Sequence, residues 1–208
     1  MLAPAPHSLE GNDLTNKGTA LFGLKALSRA IAGSGSLTSI NLNLNELGGT
    51  GGRVIAEAIS GGGSLTSIKL GFNNLGGEGG KVIAEAISVN GSLTSIDLGN
   101  NNLGFEGSEA IAETISASSS LTSIDLESNN LGDEGGRAIV EAIPANGSLK
   151  RIDLENNNFS DEGSRVIAEA ISASSCLTSL NNKNIGHGKV RREIFEPSAF
   201  KPGVRRRV

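Results

Sequence analysis

Five similar segments of 28 residues follow one another without interruption, starting at Ser36, Ser64, Ser92, Ser120 and Ser148. The third copy reads SLTSIDLGNNNLGFEGSEAIAETISASS and the fourth reads SLTSIDLESNNLGDEGGRAIVEAIPANG. A fixed period of this length is typical of a solenoid, in which each unit packs only on its neighbours. The repeat therefore predicts an open stack of similar units and argues against a globule built around one central core.

Each unit is predicted to contain a short strand followed by a helix. Ile96 and Leu98 lie two residues apart, so both side chains point to one face of a strand. Ile111 and Ile115 lie four residues apart and share one face of a helix. The two faces enclose a thin apolar core that one unit cannot bury alone, and neighbouring units must therefore stack.

Two further columns of residues recur with the period. An amide where each strand ends can both donate to and accept from the turn backbone, so we predict buried structural residues at Asn45, Asn73, Asn101, Asn129 and Asn157. A glycine before each predicted helix indicates close packing or a positive φ, at Gly51, Gly79, Gly107, Gly135 and Gly163. Asn90-Gly91 and Asn146-Gly147 indicate turns where helices end.

The spacing L-x-x-I-x-L-x-x-N-x-L and the wording SLTSIDL, NNLG, EGG and AIAEAI resemble the leucine-rich repeat in its 28-residue ribonuclease-inhibitor-like class. These segments are most similar to the repeats of NOD-like receptors. The resemblance covers residues 36–175, about two thirds of the chain. It implies an α/β leucine-rich-repeat solenoid, curved like a horseshoe, with parallel strands on the concave face and helices on the convex face.

The ends of the chain depart from the repeat, which divides the sequence into three predicted parts. Residues 1–35 form an N-terminal cap or a degenerate repeat, since the 28 residues from Ser8 to Gly35 keep the register but lack the residues typical of the strand half. Residues 36–175 hold the five repeats. Residues 176–208 hold a degenerate final repeat and a basic tail, which caps the solenoid, binds its acidic face or is disordered.

The formal charge of −4 conceals an asymmetry between the body and the tail. Lys183 to Val208 carries +6, so the preceding residues carry −10. The N-terminus lacks the basic start and apolar run of a secretory signal, and no segment approaches the roughly 20 apolar residues that a membrane span requires. These features predict a cytoplasmic protein, with a nuclear location as the alternative. The single cysteine, Cys176, is predicted to pack as a small apolar residue.

The variable strand positions are predicted to face the concave surface. Their second column reads Asn41, Lys69, Asp97, Asp125 and Asp153, which makes the C-terminal half of this face acidic. The predicted partner-binding residues are Lys69, Asp97, Asp125, Glu127, Arg151, Asp153 and Glu155. One interpretation is a site for a basic protein segment attracted by complementary charge. The other interpretation is that duplication of the repeat carried Asp along as part of the S-I-D-L segment, without a role in binding.

Leu44 and Phe72 follow the strands of the first two full repeats, where later repeats carry Asn or Ser. They form either a small apolar anchor at the rim of the concave face or a pair packed under the N-terminal cap. On the convex side, the Arg53/Glu57, Lys81/Glu85, Arg137/Glu141 and Arg165/Glu169 spacings predict solvated ion pairs.

The sequence offers little for catalysis. His7 falls in a start that we expect to be disordered, His187 falls in the degenerate end, and no Cys/His cluster suits zinc. We therefore predict a non-enzymatic protein-binding module with no catalytic residue, metal, cofactor, small-molecule substrate or membrane association, and the acidic body disfavours nucleic acid. Two alternatives stay open: a GTPase-activating role similar to that of the Ran GTPase activator, and a truncated fragment of a NOD-like receptor.

Overall fold

The computed structural model describes residues 7–15, 21–172 and 177–181. Within them, seven parallel strands form one open sheet in sequence order. The strands are β1 (His7–Ser8), β2 (Ser39–Asn41), β3 (Ser67–Lys69), β4 (Ser95–Asp97), β5 (Ser123–Asp125), β6 (Arg151–Asp153) and β7 (Ser179–Asn181). The helices are α1 (Phe22–Gly33), α2 (Gly48–Gly61), α3 (Gly76–Val89), α4 (Gly104–Ala117), α5 (Gly132–Ala142) and α6 (Asp161–Ser172). The predicted α/β solenoid is confirmed, with the strands on the concave side and the helices on the convex side.

The sequence period sets the strand register directly. Ser67 pairs with Ser95 and Ile68 with Ile96, an offset of 28 residues at each step. The apolar slots of strand and helix are buried together, as Ile96 and Ile111 of one unit illustrate. Because each unit adds the same slots, the core is a continuous stripe between sheet and helices.

The first unit does not keep the predicted 28-residue register. His7 pairs with Ile40, an offset of 33 residues, so β1 lies five residues earlier than the spacing from Ser8 predicts. The same offset brings Asn12 to Asn45, whose side-chain Oδ1 accepts the Asn12 amide N–H at 3.0 Å. The extra residues lie between the Asn12 turn and α1. His7, which we expected in a disordered start, is therefore part of the sheet.

The helices begin earlier than predicted. α3 starts at Gly76, so Gly79 lies inside its first turn and not before it. A Cβ on Gly79 would lie 2.9 Å from Leu75 Cβ and 3.2 Å from Gly49 Cα, so close packing between helices explains this glycine. Among the glycines of the five repeats, those with a positive φ are Gly48, Gly76, Gly104 and Gly132. At the other end, α5 stops at Ala142 and a single 3-10 turn, Ile143–Ala145, contains Pro144, which cannot donate a helical hydrogen bond.

The predicted convex ion pairs form in part. Arg137 binds Glu141 and Arg165 binds Glu169, both four residues apart. Arg53 instead binds Glu78 of the next unit, because stacked helices place that carboxylate closer than the one a turn away on α2. Among the described helices, none is long and apolar enough to cross a membrane. The basic tail, Cys176 and His187 lie outside the described residues.

Candidate functional site

The asparagine column (Asn45, Asn73, Asn101, Asn129 and Asn157) closes the turn after each strand. Asn101 is fully buried, and its Nδ2 donates to the carbonyl oxygens of Leu70 and Leu98 at 2.9 Å. Its Oδ1 accepts the amide N–H of Asn73 at 3.1 Å. Each amide therefore joins its own turn to the turn of the preceding unit, which leaves it no exposed atom to offer a partner.

A second asparagine contact, which sequence reasoning described only as a turn signal, joins units where helices end. Asn90 Nδ2 donates to the carbonyl oxygens of Ile59 and Gly62 in the preceding unit, at 2.6 and 3.1 Å. Its Oδ1 accepts the amide N–H of Leu93 at 2.7 Å. Asn146 repeats this arrangement two units later. The helix end of Asn90 is thereby tied across the repeat boundary.

The aspartate ladder (Asp97, Asp125 and Asp153) lies along the concave face. Strand pairing places Asp97 opposite Asp125 and Asp125 opposite Asp153. Adjacent strands lie about 4.8 Å apart, so three like charges stand in one row. All three side chains are half-buried. Sequence reasoning predicted this row, and the structure brings its three members together.

Each aspartate of the ladder also has a backbone partner that the sequence did not reveal. Oδ1 of Asp97 accepts the amide N–H of Gly99 at 3.0 Å, and Oδ1 of Asp125 accepts that of Glu127 at 2.9 Å. Asp153 makes the same contact with Glu155. Asp and Asn side chains commonly accept a hydrogen bond from the backbone N–H two residues later. This contact explains why an oxygen acceptor recurs at this position, but it does not require a charge.

The central carboxylate of the ladder has a perturbed proton affinity. The pKa of Asp125 is raised to about 6, chiefly by burial; the charges of Asp97, Asp153 and Glu127 also raise it, and the hydrogen bond from the Glu127 amide N–H lowers it. Burial is therefore the main cause of the shift, and repulsion within the row adds to it.

In the N-terminal half of the concave face, the same turn forms without an acidic residue. Asn41 Oδ1 accepts the amide N–H of Asn43 at 3.0 Å, so a neutral side chain serves where later repeats use Asp. Lys69 is exposed and cannot accept; the Gly71 amide donates instead to Asn43 Oδ1 at 2.7 Å. Asn43 Nδ2 also reaches Asp97 Oδ2 at 3.4 Å, because Gly71 between them has no side chain.

The remaining predicted partner-binding residues divide by exposure. Arg151 is exposed at the start of β6, and Glu127 is half-buried with its Oε1 accepting from Asn156 Nδ2 at 3.1 Å. Glu155 is only 2% exposed. It therefore does not belong to the open acidic surface, which consists of the aspartate ladder and Glu127.

Leu44 and Phe72, here called the rim pair, stand beside the ladder. They are 48% and 53% exposed, so the structure leaves both side chains in solvent and does not pack them under the first unit. The amide N–H of Leu44 donates to the carbonyl of Gly71, and that of Phe72 donates to Gly99, which keeps the two residues on adjacent turns. Sequence reasoning had left both placements open.

The open acidic surface presents its carboxylates in a row and not as a cluster. Among residues 7–15, 21–172 and 177–181, no three His, Cys, Asp or Glu side chains converge in a way that could hold a metal ion. A parallel row of carboxylates presents negative charge over a line of positions and does not focus it on one point. Such a surface suits an extended ligand with several positive charges.

The sequence matches the family model described as "Leucine Rich repeat" at residues 34–56, 64–84, 89–112, 117–140 and 145–168, together more than half of the chain. Among solved structures, leiomodin-1 actin-binding site 2 superposes with a TM-score of 0.61 at 20% identity, over 67% of this chain and 82% of that one. The tropomodulin C-terminal domain of Caenorhabditis elegans gives a TM-score of 0.57 at 16% identity, over 64% and 81%.

The leucine-rich repeat-containing protein LegL7 of Legionella pneumophila gives a TM-score of 0.57 at 21% identity, over 90% of this chain and 60% of that one. At these identities the likeness concerns the fold alone. No curated protein matches the sequence.

Proposed function

The chain belongs to the leucine-rich repeat family, and we propose that it is a non-enzymatic scaffold that binds a basic protein segment on its acidic concave face. The binding residues in this proposal are the aspartate ladder with Glu127, and Lys69 and Arg151 lie at its two ends. The matching part of leiomodin-1 is named as an actin-binding site, so a related fold serves protein binding in that protein.

One observation carries the proposal: the turns do not need the ladder's charges. Asn41 makes the same backbone contact as Asp97, Asp125 and Asp153 with a neutral amide. Three aspartates in register repel one another. Burial is the main cause of the raised pKa of Asp125, and the charges of Asp97 and Asp153 add to it. A feature that opposes folding and is not needed for the turn is best explained by a ligand that neutralises it.

We further propose that the repeats are of the ribonuclease-inhibitor-like class and that their relatives include those of NOD-like receptors. The 28-residue register and the full helix in each of the repeats support this assignment. A cytoplasmic or nuclear location is proposed with it.

The test is affinity capture from a lysate, read by quantitative mass spectrometry. The intact chain is compared with a variant in which Asp97, Asp125 and Asp153 are all changed to Asn. Asn keeps the backbone acceptor, so this variant should fold normally while it loses three charges. We expect a set of basic partners to be lost from the variant, and the same partners to elute from the intact chain as salt is raised.

The matched control removes three charges from the convex side, with Glu85→Gln, Glu109→Gln and Glu113→Gln on exposed helix positions. It has the same net charge as the ladder variant and should retain the partners. An identical partner list for all three proteins would refute the acidic face as the binding surface.

A further inference from the structure

We propose that the rim pair and the aspartate ladder form one two-part docking surface, and that the partner is an extended peptide segment with an apolar residue about three or four residues from its basic residues. This inference rests on the proposed function, because the ladder supplies the second half of the surface. It adds the order and spacing of chemistry that the partner must carry.

The rim pair is the part of this surface that passive copying of the repeat does not explain. Leu44 and Phe72 occupy a position with φ of 59° and 58°, in the left-handed region that disfavours bulky side chains. Later repeats use a polar side chain there, Asn100, Ser128 and Asn156, at nearly the same φ. Asn tolerates this conformation far better than Leu or Phe does. The two apolar residues are therefore unfavourable for the turn and also exposed to water.

The glycines beside the rim pair place no side chain between it and the ladder. Gly71 and Gly99 occupy the concave position that Asn43 and Glu127 fill in the flanking repeats. A Cβ on Gly71 would lie 3.1 Å from Asp97 Oδ1 and 3.4 Å from Asn43 Oδ1, so the Asp97 and Asn43 side chains meet above the backbone of Gly71. A ligand that covers Phe72 can therefore reach Asp97 without crossing a side chain at position 71 or 99.

Strand spacing sets the smallest distance between the two halves. Across the sheet, the middle of the rim pair and the middle of Asp97 and Asp125 are two strand steps apart, about 10 Å at about 4.8 Å each. The rim position also lies three residues further along each repeat than the ladder position, which lengthens the separation. An extended peptide advances about 3.3 Å per residue, so about three or four residues separate its apolar side chain from its cations. The charge of the ladder restricts the second half of the peptide to Lys and Arg.

The experiment selects binders to the intact chain from a random peptide library displayed on phage, and then measures their dissociation constants by fluorescence anisotropy. We expect enriched peptides to combine two or more basic residues with an apolar residue three or four positions away. Phe72→Asn should weaken the selected peptides about tenfold while leaving their salt dependence unchanged. Asp97→Asn with Asp125→Asn should weaken them and flatten the salt dependence.

Two controls separate the outcomes. Phe72→Asn introduces the residue found at Asn100 and Asn156, so it should fold at least as well as the original. Phe22→Asn removes a Phe that is 87% exposed on α1, away from the concave face, and should leave the affinity unchanged.

Enriched peptides that are basic but lack an apolar residue, with affinities insensitive to Phe72→Asn, would overturn this inference and leave the proposed function intact. No enrichment of basic peptides would refute the proposed function itself. Self-association of the free chain that Phe72→Asn abolishes would mean that a second copy covers the rim pair, which would also overturn the inference.

Discussion

The asparagine column and the aspartate ladder belong to the same repeat and lie four residues apart in it. Their side chains differ only in that Asn has an NH2 group where Asp has its second oxygen. In the column, Asn101 is buried and both polar atoms of its side chain are bonded to backbone. In the ladder, Asp125 uses Oδ1 for one backbone N–H and lies among like charges. A regular period therefore produces both a buried structural column and a partly exposed charged one, which differ in burial, charge and hydrogen bonds.

The largest expected effect comes from making the column resemble the ladder. Asn101→Asp keeps the shape of the side chain but removes the donor to the carbonyls of Leu70 and Leu98 and places a charge in a buried site. We expect a loss of about 3–5 kcal/mol in the free energy of unfolding at neutral pH, measured by urea denaturation. The loss should shrink as the pH falls, because protonation removes the buried charge.

The control for this variant is the reciprocal change on the ladder. Asp97→Asn alters the same atoms but keeps the acceptor for the Gly99 amide N–H. It should leave stability unchanged or slightly raised. Equal losses for the two variants would contradict the distinction between column and ladder.

Removing the amide entirely should have a smaller effect than replacing it with a charge. Asn101→Ala leaves the Asn73 amide N–H without its acceptor and removes one of the two amide donors to each of the carbonyls of Leu70 and Leu98. We expect a loss of about 1–3 kcal/mol in the same assay. Asn102→Gly is the matched control, since Asn102 is exposed and has a φ of 54° that glycine adopts easily. An unchanged midpoint for Asn101→Ala would show that water replaces the amide without cost.

A third effect, smaller again, separates the two roles of the ladder. Asp125→Asn and Asp125→Ala both remove the charge, but only Asn keeps the acceptor for the Glu127 amide N–H. We expect the Ala variant to be about 1 kcal/mol less stable than the Asn variant. Both should bind a basic partner equally poorly. Equal stability of the two variants would mean that the backbone contact contributes nothing.

The sequence predicted what the period repeats and missed what depends on a single unit. Spacing alone located the strands, the apolar core and both polar columns, because a fixed period converts sequence position into spatial register. It failed for the first unit, whose strand lies at an offset of 33 residues because five extra residues follow the turn at Asn12. It failed for Arg53 as well, because pairing with Glu78 depends on how adjacent helices stack.

The candidate site was predictable in its members but not in its boundaries. Asp97, Asp125 and Asp153 follow from alternation along the strands and lie where expected. Glu155 obeys the same alternation as Glu127, yet it is buried and Glu127 is not. Alternation gives the face on which a side chain lies, while its exposure depends on what the rest of the chain places over it.

The smallest expected effect is a pH dependence that only the ladder should show. The pKa of Asp125 is raised to about 6 in the folded chain, above its ordinary value of 3.8, so the folded state binds its proton more tightly than the unfolded state does. This group therefore contributes stability that is fully present below about pH 4 and is lost as the pH rises through about 6. The difference in stability between the original chain and Asp125→Asn should accordingly favour Asn more at about pH 7.5 than at about pH 5, in parallel urea titrations.

The affinity of the ladder for a basic ligand should change with pH in the opposite direction to folding stability. The ligand's positive charge stabilises the carboxylate and lowers the pKa of Asp125, so binding at about pH 6 should release protons and affinity should rise between about pH 5 and pH 7. Calorimetry in buffers of different ionisation enthalpy measures the proton release, and Asp125→Asn should abolish most of it. If the release persisted in that variant, the titrating group would lie elsewhere and the ligand would not be seated on the centre of the ladder.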